Sequence, residues 1–227
     1  MRWQLIESDE ALQRLLEQHQ SCEVVIVDTE FMRRNTFYPE VALVQLCFVS
    51  EESDTDIAWL IDPLCIDNPA PLADLLSNPA VLKVLHSVSE DLEVFQRWLN
   101  VLPQPLFDTQ RAAALLNRGF GLGYRALVQD ICAIDLPKGE TQSNWLQRPL
   151  SAAQCEYAGL DVTWLLPVWR ELHEQCVRQG KLDWVLGDGQ DAIRILGTEI
   201  TDSHRRIKTA WKLNQRQLGA LVAVCRW

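Results

Sequence analysis

The sequence predicts an α/β fold. Its core is a mixed five-stranded sheet, an antiparallel meander followed by parallel strands, flanked by helices and followed by a C-terminal helical segment. Three observations predict it. Apolar, β-branched runs recur early, over residues 23–31, 41–49 and 57–61. From residue 71 onward, short apolar runs alternate with helical periodicity. The chain has 227 residues, 48% hydrophobic and 23% charged, a globular composition that excludes disordered and collagen-like architectures.

Each element has a local cause. Residues 8–18 form a helix with Leu12, Leu15 and Leu16 on one face and Ser8 as its cap. Residues 23–31 open with Val24-Val25-Ile26-Val27, apolar on both faces, which marks a central strand. Strands over 41–49 and 57–61 follow, joined by the acidic hairpin loop 50–56, and Asp62-Pro63 ends the meander. A short helix over 71–76, a strand over 81–85 and a helix over 87–99 come next. Leu106-Phe107-Asp108 is a short strand leading into a helix through Leu116, and 124–132 is another helix. Gly119, Gly121 and Gly123 lack the phosphate-loop spacing and mark a turn. One long helix runs from Ser151 to Gly180, and helical patterns cover 184–196 and 207–224.

Charge is unevenly spread. The net charge is −10, yet Arg205, Arg206, Lys208, Lys212, Arg216 and Arg226 face no acid from residue 203 onward. An acidic body excludes a general nucleic-acid coat, which needs a basic face. It permits carboxylates gathered around metal ions. Seven cysteines, an odd number with no CxxC pair, read as free thiols in a reducing compartment. No apolar run is long enough to span a membrane, and the N-terminus lacks a secretory apolar core. A cytoplasmic location without membrane contact is therefore expected.

Three segments concentrate acids. In Asp28-Thr29-Glu30 the carboxylates lie two apart and project from one face of the buried strand. Such a pair needs a compensating cation, or else marks a strand end running into water. In residues 86–91 a strand feeds a helix; Ser87 and Glu90 have capping-box spacing, which leaves Asp91 at the strand's carboxyl end. Ser151 and Gln154 form another capping box, and Tyr157 and Asp161 follow one helical turn apart. Together these supply four acids and a phenol from three elements, the oxygen-donor set that divalent cations require for phosphodiester hydrolysis.

The three segments resemble the exonuclease motifs of the DEDD superfamily, and the tyrosine four residues before the last aspartate marks the DEDDy branch. Within it the chain is similar to the ribonuclease D family. The likeness extends to Arg33, Thr36-Phe37-Tyr38-Pro39, Gln45, residues 61–64, 102–105 and 108–110, Lys138 and residues 145–150. It implies an RNase-H-like fold and a 3′→5′ exoribonuclease that uses two divalent ions, Mg²⁺ or Mn²⁺. It implies that Asp28, Glu30, Asp91 and Asp161 bind metal and that Tyr157 orients the attacking water. It further implies RNA 3′ ends as partners, notably tRNA precursors and small structured RNAs. Substrate contacts are assigned to Phe31, His86, Ser89, Lys138 and Arg148; for Phe31 a core role stands beside that of a wedge against the terminal base. Two alternatives are a single-stranded DNA exonuclease of the same superfamily and a non-catalytic RNA-binding scaffold.

The expected organisation is an exonuclease domain over 1–196, a linker over 197–203, and residues 204–227 as the first helix of a truncated C-terminal domain shared with RecQ-type helicases. That helix carries an apolar stripe of Trp211, Leu218, Leu221 and Val222. The stripe needs a partner, within the chain or from another copy.

Overall fold

The computed structural model describes residues 2–34, 36–49, 57–137, 139–140, 142–197, 204 and 207–226. Its first unit, residues 1–193, is built on a six-stranded sheet of order β1-β4-β3-β2-β5-β6. The strands are β1 (Arg2–Ile6), β2 (Val24–Met32), β3 (Glu40–Phe48), β4 (Ile57–Ile61), β5 (Leu82–Leu85) and β6 (Leu106–Asp108). β2, β3 and β4 form the antiparallel meander, and β5 and β6 continue parallel to β2. The α/β class is as the sequence predicts, but the sheet has a sixth strand. β1 pairs parallel to β4 at the sheet edge and only Ile6 is buried. Its residues carry no clear alternation, because partnership with β4 rather than a hydrophobic face selects the conformation. The loop 50–56 lies outside the described residues.

Helices cover both faces. Val25, Val27, Val44 and Leu46 point to one face, under α1 (Asp9–Gln18), α2 (Ala70–Ser77) and α3 (Ser89–Leu99). Ile26, Val84 and Phe107 point to the other. There lie α4 (Thr109–Leu115), α5 (Tyr124–Cys132), α6 (Ala152–Thr163), α7 (Leu165–Arg178) and α8 (Leu182–Gly197). The strand period of two separates these sets, so Asp28 and Glu30 share the face of Ile26, while Thr29 turns toward α3. Gly189 of α8 lies against β6, where a Cβ would come within 2.5 Å of the Leu106 carbonyl oxygen.

Two long helices predicted from the sequence are broken. The one starting at Ser151 splits into α6 and α7 at Trp164. Pro167 has no N–H to offer the Thr163 carbonyl, and its ring crowds that carbonyl. In the second unit, residues 194–227, residues 210–212 form a 3₁₀ turn and α9 (Gln215–Arg226) begins afresh. Asn214 and Gln217 exchange side chain–backbone hydrogen bonds of 2.9 and 3.0 Å, a cap that stops one helix from running over 207–224. Trp211 therefore sits outside α9, under the Lys212 amine, and the apolar stripe is interrupted. Residues 198–203, most of the expected linker, lie outside the described residues. No described helix is long and apolar enough to cross a membrane.

A buried ion pair fastens the segment before α6 to the sheet. Asp62 is 0% exposed. It accepts from Arg148 Nε at 2.5 Å and from Nη2 at 2.7 Å. Arg148 Nη2 also donates to the Ala42 carbonyl, and Nη1 to those of Trp145 and Gln147. Arg148→Ala leaves the Asp62 carboxylate buried and unpaired. We expect a loss of roughly 3–5 kcal/mol in unfolding free energy, measured by urea denaturation; a loss below 1 kcal/mol would show that water compensates Asp62.

Candidate active site

The carboxylates meet at the carboxyl end of β2. The apolar start of the strand anchors it in the core, and Asp28 and Glu30 follow on the face covered by α6. At Glu30 the β2–β3 register shifts: Glu30 pairs with Leu43 and Phe31 with Val41, leaving Ala42 as the extra residue. Such a bulge re-aims neighbouring side chains. Here the carbonyl of the extra residue is taken up by Arg148 at 2.7 Å.

Asp91 arrives from the opposite face, in the first turn of α3, and accepts from the Thr29 hydroxyl at 2.5 Å. Alternation along β2 thus does two jobs. Asp28 and Glu30 meet α6, while Thr29 draws in Asp91. From α6, Asp161 and Tyr157 join the group on successive turns, set by the Ser151–Gln154 capping box at the helix start.

The group is electrostatically strained. Burial, then Asp91, Asp161 and Glu30, push the Asp28 carboxyl well above its ordinary range. Burial, then Asp161 and Asp91, do the same to Glu30. Burial raises Asp91 to about 7 and Asp161 to about 8. Among the described residues no Lys, Arg or His pairs with any of the four. Converging carboxylates without a protein cation are a hard-oxygen donor set, and this fits divalent cations. Burial and then Asp161, Glu30 and Asp28 raise the Tyr157 phenol, so it stays protonated at neutral pH. Its ring lies between Trp145, 6.1 Å away, and Gly139, where a Cβ would come within 2.8 Å of Cδ2.

The backbone frame depends on a residue that the sequence reading passed over. The Asp108 carboxylate accepts from the backbone N–H of Ser87, Val88, Gln110 and Arg111 at 2.8–3.4 Å. It therefore holds the turn from β5 into α3 and the start of α4 together. The capping box expected of Ser87 and Glu90 does not form. Ser87 takes a left-handed φ of 61°, α3 starts after Val88, and Glu90 faces Arg33 instead. Tyr124 was also missed. Its hydroxyl donates to the Leu160 carbonyl at 2.8 Å, one residue before Asp161. An i, i+2 acid pair signals itself locally; these two residues act through backbone groups distant in sequence.

The other expected substrate contacts fare differently. Arg148 has five N–H donors, and Asp62 and three carbonyls take all of them. None is left for a phosphate, so its role is structural. His86 Nδ1 lies 2.9 Å from the Thr109 hydroxyl, Nε2 is buried, and the ring meets Tyr124 edge-on. Ser89 is exposed in the first turn of α3, and Phe31 is half-buried just past the bulge. Lys138 lies outside the described residues. Glu7, Asp62 and Cys65 also bring ligand atoms within 4.8 Å of one another, but Arg148 occupies both Asp62 oxygens and makes a cation there redundant.

The acid cluster has a pH signature. Asp91 and Asp161 hold protons more tightly in the fold, at about 7 and about 8, than in the unfolded chain near ~4. Their contribution to stability is complete below ~4 and is lost as pH rises through those values. In chelator-treated protein we expect Asp161→Asn to raise the Tm at pH 8.5 and to raise it much less at pH 5. Equal shifts at both pH values would show that the carboxylates do not strain the fold.

Residues 3–176 match the family model described as 3′-5′ exonuclease. The chain is 42% identical over 226 residues to ribonuclease D of Pseudomonas paraeruginosa, covering 99% of this chain and 58% of the relative. The crystal structure of ribonuclease D from Escherichia coli, an exoribonuclease involved in structured RNA processing, superposes with a TM-score of 0.86 at 38% identity. That match covers 96% of this chain and 57% of the other. The catalytic core of RRP6 from Trypanosoma brucei, at 22% identity and a TM-score of 0.76, shares the fold over 84% of this chain and 52% of its own. The chain thus spans less than two thirds of the length of the ribonuclease D relatives it matches. With the motif carboxylates gathered on this fold and the family model spanning the sheet and α6, the chain belongs to the 3′-5′ exonuclease family.

Proposed function

We propose that the protein is a 3′→5′ exoribonuclease that hydrolyses phosphodiester bonds at RNA 3′ ends and releases nucleoside 5′-monophosphates. One observation carries this reading: Asp28, Glu30, Asp91, Asp161 and Tyr157 converge from three elements, with no paired protein cation among the described residues.

Asp28, Glu30 and Asp161 would hold one divalent ion, and Asp28 with Asp91 a second, Mg²⁺ or Mn²⁺. Bound ions supply a water of lowered pKa and Lewis-acid stabilisation of the leaving oxygen. The chain's own groups do the rest. Tyr157, kept neutral, orients the attacking water by hydrogen bonding and does not take its proton. Gly139 and Trp145 bound its ring and limit its rotation. The Thr29 hydroxyl fixes one Asp91 oxygen and leaves the other for a ligand. All four carboxylates are present, which favours a working nuclease over a non-catalytic scaffold.

The finer reading is tRNA 3′ maturation and processing of small structured RNAs in the cytoplasm. It rests on the likeness to ribonuclease D and on the absence of a membrane-spanning helix among the described residues. Residues 1–196 form the exonuclease domain in this reading, and residues 204–227 begin a further RNA-holding domain.

Asp28→Asn should abolish Mg²⁺- or Mn²⁺-dependent shortening of a 5′-labelled RNA, a loss of at least ~10³-fold in kcat; full activity in the mutant would refute the proposal. Tyr157→Phe should lower kcat by roughly 10²-fold while KM changes less than two-fold. A ladder of single-nucleotide steps marks exonuclease action. A matched DNA strand cut at the same rate would favour the DNA exonuclease alternative, because no 2′-hydroxyl would then be sensed.

A further inference from the structure

The turn between β2 and β3 leaves the carboxylate cluster and immediately exposes two aromatic rings. Phe37 is 83% exposed and Tyr38 47% exposed. Exposing an aromatic to this degree forgoes burial that it would gain in the core, and two adjacent ones form an apolar surface awaiting contact. The rings meet edge to face, 5.0 Å between centroids and 87° between planes. The Arg97 guanidinium covers the Tyr38 ring at 4.5 Å, and most of the Phe37 ring is open to solvent.

This turn is tied to the helix that carries Asp91. Arg33 Nε donates to the Phe37 carbonyl at 3.2 Å. The same guanidinium pairs with Glu93 at 2.5 Å and Glu90 at 3.9 Å, on either side of Asp91. The aromatic pair is thus fixed to the frame of the acid cluster. Several arginines around the cluster are committed to acids of the chain. Arg33, Arg125 and Arg148 are each engaged by carboxylates of the chain. In an acidic chain of net charge −10, contacts that need no cation gain weight in gripping a strand. Base stacking on an aromatic face needs no charge and tolerates any sequence.

We propose that Phe37, backed by Tyr38 and Arg97, is a stacking platform for a base of single-stranded RNA on the 5′ side of the scissile bond. This rests on the exonuclease reading above. The terminal nucleotide must enter the buried cluster to be cleaved. Phe37 lies outside it, so it meets only the part of the strand still in solvent. The platform makes affinity depend on RNA length: an octanucleotide reaches it, whereas a dinucleotide is consumed within the cluster.

The test compares Phe37→Ala and Phe37→Trp with the parent protein. Binding of a fluorescent octaribonucleotide is measured with Ca²⁺ in place of Mg²⁺. Phe37→Ala should weaken it roughly ten-fold, and Phe37→Trp should restore it. Dinucleotide hydrolysis with Mg²⁺ should be unchanged in both variants. Octamer affinity in Phe37→Ala within two-fold of the parent would overturn the platform, as would a parent protein that does not bind the octamer. A parent that leaves RNA intact with Mg²⁺ and Mn²⁺, yet loses octamer binding in Phe37→Ala, would overturn the exonuclease reading and keep the platform.

Discussion

Repulsion among four carboxylates is the constraint around which this molecule is organised. Burial raises the cost of ionising Asp28, Glu30, Asp91 and Asp161, and at Asp28 and Glu30 the charges of Asp91 and Asp161 add to it. A loose scaffold would relax by spreading them. The sheet and its helices prevent that. Each acid sits on an element whose own core contacts leave it little freedom: a central strand for two, the first turn of α3 for one, and α6 for the last. The folded chain thereby stores a site that is unfavourable when empty of charge compensation and favourable once cations enter.

Keeping the acids in place falls to groups with no direct part in the chemistry. Thr29 and Glu30 are neighbours on β2 but face opposite sides, so one strand can position carboxylates from both layers. The bulge at Ala42 sets the aim of Glu30, and Arg148, neutralised by Asp62, takes up the carbonyl of the extra residue. Asp108 fixes the approach to α3 by collecting four backbone N–H groups. Arg148 shows how a charged residue can resemble a ligand-binding group in sequence and prove structural in the fold: what distinguishes it is that its hydrogen-bonding capacity is already spent.

This difference also explains what the sequence disclosed. Asp28 and Glu30 were legible because an apolar run commits β2 to the core and the strand period places both acids on one face. Tyr157 and Asp161 were legible through helical spacing behind a capping box that does form. The meander and the β–α alternation followed from hydrophobic pattern alone. β1 was not legible, since an exposed edge strand needs only a partner. The left-handed turn at Ser87 was hidden because Asp108, 21 residues away, overrides the local capping signal. The bond between Arg148 and Asp62 spans 86 residues, and no local pattern announces it. The break at Trp164 was readable in principle from Pro167, but the strong apolar period on both sides masked it.

In the proposed function, recognition of RNA by an acidic chain is divided between two kinds of force. In the function proposed above, two divalent cations at the cluster would add four positive charges beside the scissile phosphate, and local attraction would outweigh the net charge of −10. That attraction is short in range, because screening confines it to about 8–10 Å at physiological ionic strength. Farther along the strand, Arg33, Arg125 and Arg148 are already engaged by carboxylates of the chain. Contacts that do not depend on charge can act there, and the proposed stacking platform on the β2–β3 turn would supply that chemistry. Such a division makes affinity for the body of the strand less sensitive to salt than a basic groove would be. In the proposed reaction, the phosphate to be cut would remain the point at which charge decides the outcome.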